Sequence, residues 1–362
     1  MQEERIHLMG MDPVGLSEFV IDQGEPEFRA RQLFKGIHQR RLESFEDFTD
    51  ISKSFRERLS VIACLRTLNL VQRFVSNDGT RRYLFSTANG NPVETVFIPT
   101  RKRDTICFSS QSGCALNCDF CLTAKLGFLQ NLSPGEIVEQ IIYVLNDVYG
   151  IAKEMPHGTN LVAMGAGEPF NNFENLLKAV SIMKREDGLF IVPGRITVST
   201  VGIVPKIYEF AKLNGRPHLA ISLSAPNDEL RNRLMPINKR WNIDDLMNAA
   251  AAFQNSLKQG ERLTFEYVLL AGINDMDRHA AELASLLKRY GLDRVKINLI
   301  PHNSAEPLEY SPPSAERVAA FKQTLETSGV SAYVRKARGH DIFAACGQLA
   351  AFDPGEALAE VV

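Results

Sequence analysis

Residues 105–121 read TICFSSQSGCALNCDFC, and this stretch decides the fold. Its first six residues have the apolar pattern of a buried strand. Directly after that strand, Cys114, Cys118 and Cys121 form a C-x3-C-x2-C motif. Because active sites of βα-barrels lie at the carboxyl ends of the strands, this placement predicts a reactive or ligand-binding site at the end of the first barrel strand.

A rhythm of strand, loop and helix continues from this stretch for about 230 residues. The predicted strands are Thr105–Ser110, Thr159–Met164, Arg195–Ser199, His218–Leu223, Leu263–Leu269 and Val295–Ile300. The predicted helices are Pro134–Val148, Phe173–Arg185, Val204–Leu213, Ile243–Leu257, Arg278–Tyr290 and Ser314–Ser328. Parallel strands require crossover connections, and eight repeats would close a full barrel. Six repeats therefore predict an α/β fold with a partial (β/α)6 barrel that is open on one side.

The chain before the barrel has two different patterns. Near the N-terminus apolar residues recur at helical spacing, as at Leu16, Phe19 and Val20. Strand-like runs then alternate with Asn-Asp-Gly and Asn-Gly-Asn turns, which predicts a small β meander. The predicted division is a helical N-terminal domain at 1–65, a β meander linker at 66–99, the barrel at 100–350 and a C-terminal tail at 351–362.

The composition is that of an ordinary globular protein. Of the 362 residues, 44% are hydrophobic and 23% are charged, and the length suits two domains or one large barrel with an appendage. No apolar run approaches the roughly 20 residues of a membrane-spanning helix, and the N-terminus does not have the pattern of a signal peptide. We therefore expect a cytoplasmic protein that does not enter a membrane.

The charge balance weighs mildly against a nucleic-acid binder, because 41 basic and 43 acidic residues leave a net charge of −2. Basic residues nevertheless cluster within 29–41, 101–103 and 335–338. Each cluster, taken singly, is more typical of a solvated surface. Such clusters can still form a basic face on a chain of balanced charge.

The cysteines are distributed unevenly. Without an export signal the six cysteines should be reduced, and four of them fall between Cys107 and Cys121. Three thiolates can hold three irons of a cubane iron–sulfur cluster and leave the fourth iron open. A structural zinc ion usually takes four ligands. Cys107 could be proposed as the fourth ligand, but it falls within the strand pattern, before the turn that leads to the motif. The spacing favours the iron–sulfur cluster, with zinc or free thiols as alternatives.

A glycine-rich segment follows the second predicted strand. Gly165 and Gly167 would let the backbone approach a ligand closely, and the carboxylate of Glu168 could accept hydrogen bonds from a ligand ammonium. By itself such a segment is more often a simple turn. Its place beside the cysteine motif makes it a candidate part of the same site.

With Phe120 as its aromatic residue, the motif C-x3-C-x-aromatic-C resembles the signature of radical S-adenosylmethionine enzymes. The wider sequence resembles the RlmN family, bacterial dual-specificity methyltransferases that act on adenine carbon 2 in 23S rRNA and tRNA. The segments that carry this resemblance are CFSSQSGCALNCDFC (107–121), MGAGEPFNN (164–172), VSTVGIVP (198–205), SLSAPNDELRNRLMPIN (222–238), NLIPHN (298–303) and GHDIFAACGQL (339–349). The chain departs from the family pattern at Ala166, where the family usually has Met, and at Ser224, where it usually has His.

This resemblance implies a radical-SAM barrel with a helical accessory domain, and two cofactors. Cys114, Cys118 and Cys121 would hold a [4Fe–4S] cluster. The residues that would contact S-adenosyl-L-methionine are Gly167, Glu168, Ser199, Ser222, Leu223, Ser224 and Asn303.

The resemblance also implies roles for three residues outside the cluster motif. Adenine carbon 2 is electron-poor, so a polar methyl transfer to it fails and radical chemistry is needed. Cys346 would carry the methyl group, and its methylene radical would add to the ring and join protein to RNA. Cys107 would then form a disulfide with Cys346 and release the product, and Glu94 would be the proton acceptor.

The implied partners are 23S rRNA, tRNA and an electron donor such as a flavodoxin, and we expect a monomer. Charges within residues 29–41 could contact RNA phosphates. One alternative is the sister family that methylates adenine carbon 8, although Ala115-Leu116-Asn117 favours carbon 2. A second alternative is a zinc-stabilised RNA-binding module without catalysis.

Overall fold

The computed structural model describes residues 5–154, 158–292, 295–305 and 307–349. The predicted C-terminal tail, residues 351–362, lies outside the described residues. The N-terminal part consists of helices closed by two short parallel strands. Its elements are β1 (Ile6–His7), α1 (Pro13–Asp22), α2 (Phe28–Phe34), α3 (Lys53–Ile62) and β2 (Ala63–Cys64). Leu16, Phe19 and Val20 form the buried face of α1, as their helical spacing predicts.

Three antiparallel strands follow, β3 (Asn69–Val75), β4 (Arg81–Ser86) and β5 (Pro92–Ile98). Their turns contain Gly79 and Gly90, both at positive φ (83° and 79°), where glycine carries no Cβ penalty. The predicted β meander is therefore present. Its last strand, β5, pairs with the first barrel strand, so the meander continues the barrel sheet.

The barrel elements alternate in sequence between strand and helix. In chain order they are β6 (Asp104–Phe108), β7 (Gln111–Gly113), α4 (Leu122–Lys125), β8 (Phe128–Asn131), α5 (Pro134–Tyr149), β9 (Thr159–Ala163), α6 (Phe173–Met183), β10 (Ile196–Thr200), α7 (Val204–Ala211), β11 (His218–Ser222), α8 (Asp228–Leu234), α9 (Ile243–Asn255), β12 (Leu263–Leu269), α10 (Asp277–Arg289), β13 (Lys296–Pro301), α11 (Ala315–Thr327) and β14 (Ser331–Val334).

Ten of the described strands form one sheet in the order β14-β13-β12-β11-β10-β9-β6-β5-β4-β3, with β14 and β3 at its edges, while β1-β2 and β7-β8 form two separate two-stranded sheets. Within this sheet, the seven strands β6, β9, β10, β11, β12, β13 and β14 pair in parallel, as the crossover helices require. The predicted partial barrel of six βα units is confirmed, and β14 adds a seventh parallel strand that the sequence did not indicate. β14 is only four residues long, and its largely exposed side chains give no apolar pattern.

One continuous apolar core joins the N-terminal helices to the barrel. It includes Phe34 from the N-terminal part, Phe85 from the meander, and Ile141 and Phe210 from barrel helices. Since burying apolar surface is the main driving force of folding, these parts stabilise one another.

Arg41 also joins the N-terminal part to the barrel, through hydrogen bonds. Its side chain is buried, and its guanidinium donates to Asn146 Oδ1 (3.0 Å) and to the carbonyl oxygens of Gly150 (2.9 Å) and Lys153 (2.7 Å). Asn146 Nδ2 returns a hydrogen bond to the Arg41 carbonyl at 2.9 Å. The expectation that charges within 29–41 contact RNA therefore does not hold for Arg41, because its charge is used inside the protein.

We predict that Arg41→Ala lowers the free energy of unfolding by about 2–4 kcal/mol, because it leaves several buried acceptors without a donor. The matched control is Arg40→Ala, which removes only a partly exposed ion pair with Asp50 (2.8 Å) and should cost no more than about 1 kcal/mol. Urea unfolding of both variants measures the difference. Equal losses would contradict the structural role of Arg41.

Candidate active site

A cleft of about 1100 Å³, counting its open mouth, lies at the carboxyl ends of the parallel strands. This is the end of a βα-barrel where ligands usually bind. The predicted site residues that line it are Cys114, Cys118, Cys121, Gly167, Glu168, Ser199, Ser222, Ser224, Asn303 and Cys346. Leu223 differs from the other predicted cofactor residues, because its side chain is fully buried in the core.

The three motif cysteines come together because the chain turns back on itself after β7. β7 and β8 form a hairpin, in which the Cys114 N–H donates to the Gly127 carbonyl at 2.8 Å. Cys118 is buried, and Cys121 immediately precedes α4. Burial raises the pKa of the Cys114 thiol to about 12, and the nearby Cys121 adds to this effect. Burial also raises the pKa of Cys118 well above its usual range, and the nearby Cys121 and Cys114 raise it further.

This donor set fits an iron–sulfur cluster better than a single metal ion. In the described part of the chain, no three His, Cys, Asp or Glu side chains converge closely enough to hold one ion. Thiolates around a single zinc would stand about 4 Å apart, given Zn–S bonds of about 2.3 Å. Cluster thiolates each bind a different iron, so they surround a larger centre. Bound iron would also lower the pKa values of these thiols, against the effect of burial that otherwise keeps them protonated.

The glycine-rich loop after β9 packs closely against the end of β6. A Cβ on Gly165 would lie 2.6 Å from Ser109 Oγ, and one on Gly167, where φ is 97°, would lie 2.5 Å from Gln111 Cβ. Only glycine fits such contacts. The departure at Ala166 is accommodated, because its backbone N–H donates to Ser109 Oγ at 2.8 Å and its small side chain is buried.

Glu168 connects two strand ends. Its carboxylate accepts hydrogen bonds from the N–H groups of Phe170 (3.0 Å) and Val201 (2.9 Å). Burial raises the pKa of Glu168 to about 7, and these hydrogen bonds act in the opposite direction. Because each carboxylate oxygen has a second lone pair, Glu168 can still accept a hydrogen bond from a ligand in the cleft.

Arg231 supports the same wall and was not singled out in the sequence. Its buried guanidinium donates to the carbonyls of Val201, Ser222 and Leu223, at the ends of β10 and β11. Burial lowers the pKa of Arg231 to about 10, and the neighbouring Cys118 acts in the opposite direction. A single side chain thus holds together the two strand ends that carry Ser199 and Ser222–Ser224.

Ser224 stands where the related family usually has His. It adopts a left-handed backbone conformation (φ 52°), and its hydroxyl accepts the Val268 N–H at 3.3 Å. Its carbonyl accepts Asn274 Nδ2 at 2.9 Å. The serine therefore contributes to loop structure while still lining the cleft.

The loop that carries Cys346 is held against the cysteine motif. The Leu122 N–H donates to the Gly347 carbonyl at 2.9 Å, and Thr123 Oγ1 donates to the Leu349 carbonyl at 2.6 Å. Asn303 Nδ2 donates to the Cys346 carbonyl at 3.2 Å. The Cys346 side chain is exposed, but its open surface is the wall of a recessed cleft.

Cys107 and Cys346 are 239 positions apart in the sequence, and the fold packs the loop that carries Cys346 against Cys107. Burial raises the pKa of the Cys107 thiol to about 12, and Cys346 also raises this pKa. Burial also raises the pKa of Cys346, whereas Arg335 lowers the pKa of both thiols. Both cysteines are free, and Cys107 packs with Ile342 and Ala344 of the Cys346 loop.

Glu94 lies on β5, the strand that pairs with the Cys107 strand β6. It does not line the cofactor cleft. In the sheet register Val96 faces Cys107, so Glu94 and Cys107 project from the same side of the sheet. The Glu94 carboxylate is buried and forms an ion pair with Arg82 at 3.2 Å. The Arg82 guanidinium in turn lies 4.3 Å from the centre of the Phe74 ring.

Three further cleft residues were not recognised from the sequence as site residues: Glu266, His302 and Arg335. Burial raises the pKa of Glu266, which accepts a hydrogen bond from Asn298 Nδ2 at 2.7 Å. A usable signal was present, because Glu266 is a charged residue between Phe265 and Tyr267 in an otherwise apolar strand. His302 lies inside the NLIPHN segment, where only Asn303 was singled out.

Comparisons with known proteins identify the family of this chain. The family model "Ribosomal RNA large subunit methyltransferase N-terminal domain" matches residues 6–65, and the Radical SAM superfamily model matches residues 108–284. The chain is similar to the dual-specificity RNA methyltransferase RlmN of Marinomonas sp., with 43% identity over 349 residues that cover 96% of this chain and 93% of the relative. It is also similar to RlmN 2 of Myxococcus xanthus, with 46% identity over 341 residues that cover 92% and 88%.

A solved structure, a radical SAM methyltransferase from Sphaerobacter thermophilus, superimposes with a TM-score of 0.91 at 39% identity, covering 96% of this chain and all of that one. Fold and site thus define a radical S-adenosylmethionine enzyme, a class that uses a [4Fe–4S] cluster and S-adenosyl-L-methionine. Identity of more than 40% over nearly the whole chain decides the family within this class. The chain belongs to the RlmN family of dual-specificity RNA methyltransferases, and the non-catalytic zinc-stabilised module is not supported.

No helix in the described part of the chain is both long enough and apolar enough to span a membrane.

We predict that Gly167→Ala abolishes S-adenosylmethionine binding, because the added Cβ would push the loop away from Gln111. The control is Gly90→Ala, which has a similar positive φ but no atom within 4 Å of the new Cβ, and should cost only about 1 kcal/mol of stability. Equilibrium dialysis with the anaerobically reconstituted proteins measures binding. Retained binding in Gly167→Ala would show that the close contact is not required.

Proposed function

We propose that this protein methylates carbon 2 of adenosine in 23S rRNA and in tRNA, through an S-methylcysteine on Cys346. The single observation that carries the proposal is that Cys346 lines the same cleft as the motif cysteines, on a loop whose Ile342 and Ala344 pack against Cys107. A methyltransferase that used a polar mechanism would have no need for two further thiols at this place.

Cys114, Cys118 and Cys121 would hold the cluster through three irons, leaving the fourth iron open toward the cleft. When bound, the cluster and S-adenosylmethionine supply the methyl group and the radical chemistry that the electron-poor carbon 2 requires. Gly167 and Glu168 would receive the amino group of S-adenosylmethionine, and Ser199, Ser222, Ser224, Asn303 and the Leu223 backbone would contact the rest of it.

Cys346 is the methyl acceptor in this proposal, because its side chain faces the cleft from a loop that three hydrogen bonds hold in place. Cys107 attacks the Cys346 sulfur as a thiolate and forms a disulfide with it, while the bond between that sulfur and the transferred carbon breaks. The electron pair of the broken bond stays on the carbon, which takes up a proton as the methyl group of the released product. The buried Cys107 thiol is protonated near neutral pH, so it attacks only after losing its proton, and Arg335 favours that loss. Glu94 accepts the proton from the adenine ring, with Arg82 balancing its charge.

We further infer that residues 1–65 act as an accessory domain, residues 66–99 as the meander that joins it to the barrel, and residues 100–350 as the catalytic domain. The electron donor is a small redox protein such as a flavodoxin, the enzyme acts as a monomer, and its site of action is the cytoplasm, where its RNA substrates are. The family model for an N-terminal domain, which matches residues 6–65, supports the first of these inferences.

The second candidate is methylation of adenine carbon 8. The Ala115-Leu116-Asn117 segment between the first two motif cysteines favours carbon 2. Mass spectrometry of nucleosides from RNA of a strain lacking the gene decides between them. Loss of 2-methyladenosine supports the proposal, and loss of 8-methyladenosine with 2-methyladenosine retained contradicts it.

We predict that replacing Cys114, Cys118 and Cys121 together with alanine removes iron and the broad visible absorption at the same time, since no thiolate remains to hold a cluster. Cys64→Ala is the control, because Cys64 lies on β2, away from the cleft. Iron analysis and absorption spectra of anaerobically purified proteins provide the readout. Iron retained in the triple variant would place the cluster elsewhere.

We predict that Cys107→Ala traps RNA covalently on the protein, because Cys346 can no longer be released as a disulfide. A denaturing gel, run with and without ribonuclease, shows the trapped species as a ribonuclease-sensitive shift. The double variant Cys107→Ala/Cys346→Ala should show no shift, because the methyl carrier is missing. No shift in Cys107→Ala with its cluster intact and substrate RNA present would exclude the resolving role.

A further inference from the structure

A second cleft opens beside the cofactor cleft and meets it at Cys346. Its volume is about 1390 Å³, counting its open mouth. Five residues line both clefts: Ile300, His302, Asn303, Arg335 and Cys346. Any group that enters through the second cleft therefore reaches Cys346 along walls that the motif cysteines do not line.

Two of the basic clusters seen in the sequence meet at the mouth of this second cleft. Thr100 and Thr105 line one wall, and the loop between them carries Arg101, Lys102 and Arg103, all exposed. The other wall includes three exposed residues from the segment after β14, Arg335, Lys336 and Arg338. These clusters are more than 230 positions apart in the sequence and become neighbours only through the pairing of β5 with β6 and the return of the C-terminal loop.

The loop that carries the first cluster is held in a defined shape. The Thr100 N–H donates to Asp104 Oδ1 at 3.1 Å, and the Arg103 N–H donates to Thr100 Oγ1 at 3.3 Å. Asp104 is buried, where it also accepts the Tyr149 hydroxyl. The backbone interactions thus leave the three basic side chains pointing outward from a fixed base.

Little negative charge balances these residues. Arg338 has Asp78 at 3.7 Å, whereas in the described part of the chain none of the other five basic residues is within ion-pair distance of a carboxylate. In contrast, three of the five basic residues of the N-terminal cluster have partners within the protein: Arg41 is buried, Arg40 pairs with Asp50 and Arg29 with Glu25. The mouth of the second cleft therefore carries a local excess of positive charge, although the net charge of the chain is −2.

We propose that Arg101, Lys102, Arg103, Lys336 and Arg338, here called the basic rim, bind the RNA phosphates on both sides of the nucleotide that reaches Cys346. This inference rests on the proposed function. An adenine inside a helix must leave its stack to reach a buried site, and its flanking phosphates must then be held at the mouth. Two opposed basic walls at the mouth meet that requirement, and they read no sequence, which suits an enzyme with two different RNA substrates.

The test compares two double variants that remove the same charge from different places. Arg101→Ala/Lys102→Ala changes the basic rim, and Lys288→Ala/Arg289→Ala changes exposed residues at the end of α10. The affinity of each protein for an unmodified tRNA transcript is measured by fluorescence anisotropy over a series of salt concentrations. We expect the rim variant to bind about tenfold more weakly at low salt and its log–log salt slope to fall by about 2, with the α10 variant unchanged.

A single variant on the opposite wall, Lys336→Ala, should lower the slope by about 1. A readout that needs no RNA shows whether the site itself is intact, namely mass spectrometry of S-methylation on Cys346 in each purified protein. This methylation should be the same in the rim variants and in the unchanged protein, because the basic rim does not touch the proposed cofactor residues.

Equal weakening in the rim and α10 variants would overturn the proposal, because RNA would then respond only to net charge. Unchanged RNA affinity in the rim variant, with cluster reduction by a flavodoxin slowed, would assign the basic rim to the electron donor instead and also overturn it. If the unchanged protein neither binds the transcript nor carries S-methylated Cys346, the proposed function fails together with this inference. Loss of S-methylation in the rim variants alone would show that the rim shapes the cofactor site, against the proposal.

Discussion

The site depends on a buried polar junction at the end of β6. The Ser109 N–H donates to Gln140 Oε1 at 2.9 Å, and Gln140 Nε2 donates back to the Ser109 carbonyl at 3.1 Å. The Ser109 hydroxyl donates to the Glu94 carbonyl at 2.6 Å and accepts the Ala166 N–H at 2.8 Å. An unpaired polar group at this depth would cost about 1–3 kcal/mol, so these hydrogen bonds favour one arrangement of the meander, α5 and the glycine-rich loop.

The proposed chemistry extends in both directions from this junction. Cys107 lies two residues before Ser109, and Cys114 lies five residues after it, so one short segment carries the proposed resolving thiol and the first cluster ligand. The Cys346 loop closes the arrangement by bonding to α4 directly after the motif. A displacement of the Cys346 loop would therefore disturb the cluster ligands and the methyl acceptor together, which explains why a flexible-looking C-terminal segment is anchored at several points.

The role of each basic residue depends on where the fold places it. In the sequence the N-terminal cluster looked like the better candidate for RNA contact, since five basic residues occur there within thirteen positions. In the structure Arg41 joins that region to α5, while the shorter clusters at 101–103 and 335–338 face each other across one cleft. Charge density along the chain could not predict this, because the partners of Arg41, such as Asn146, come from another part of the fold.

The sequence by itself determined the six βα units, the helical and meander segments before them, and the cysteine motif at the end of β6, because hydrophobic periodicity and motif spacing are local properties. It also carried the resemblance that named the cofactor residues. Only the tertiary structure brought Cys107 to Cys346, buried Arg231 beneath two strand ends and paired Glu94 with Arg82. These contacts join residues far apart in the chain, and their formation depends on the register of the whole sheet, which no local pattern encodes.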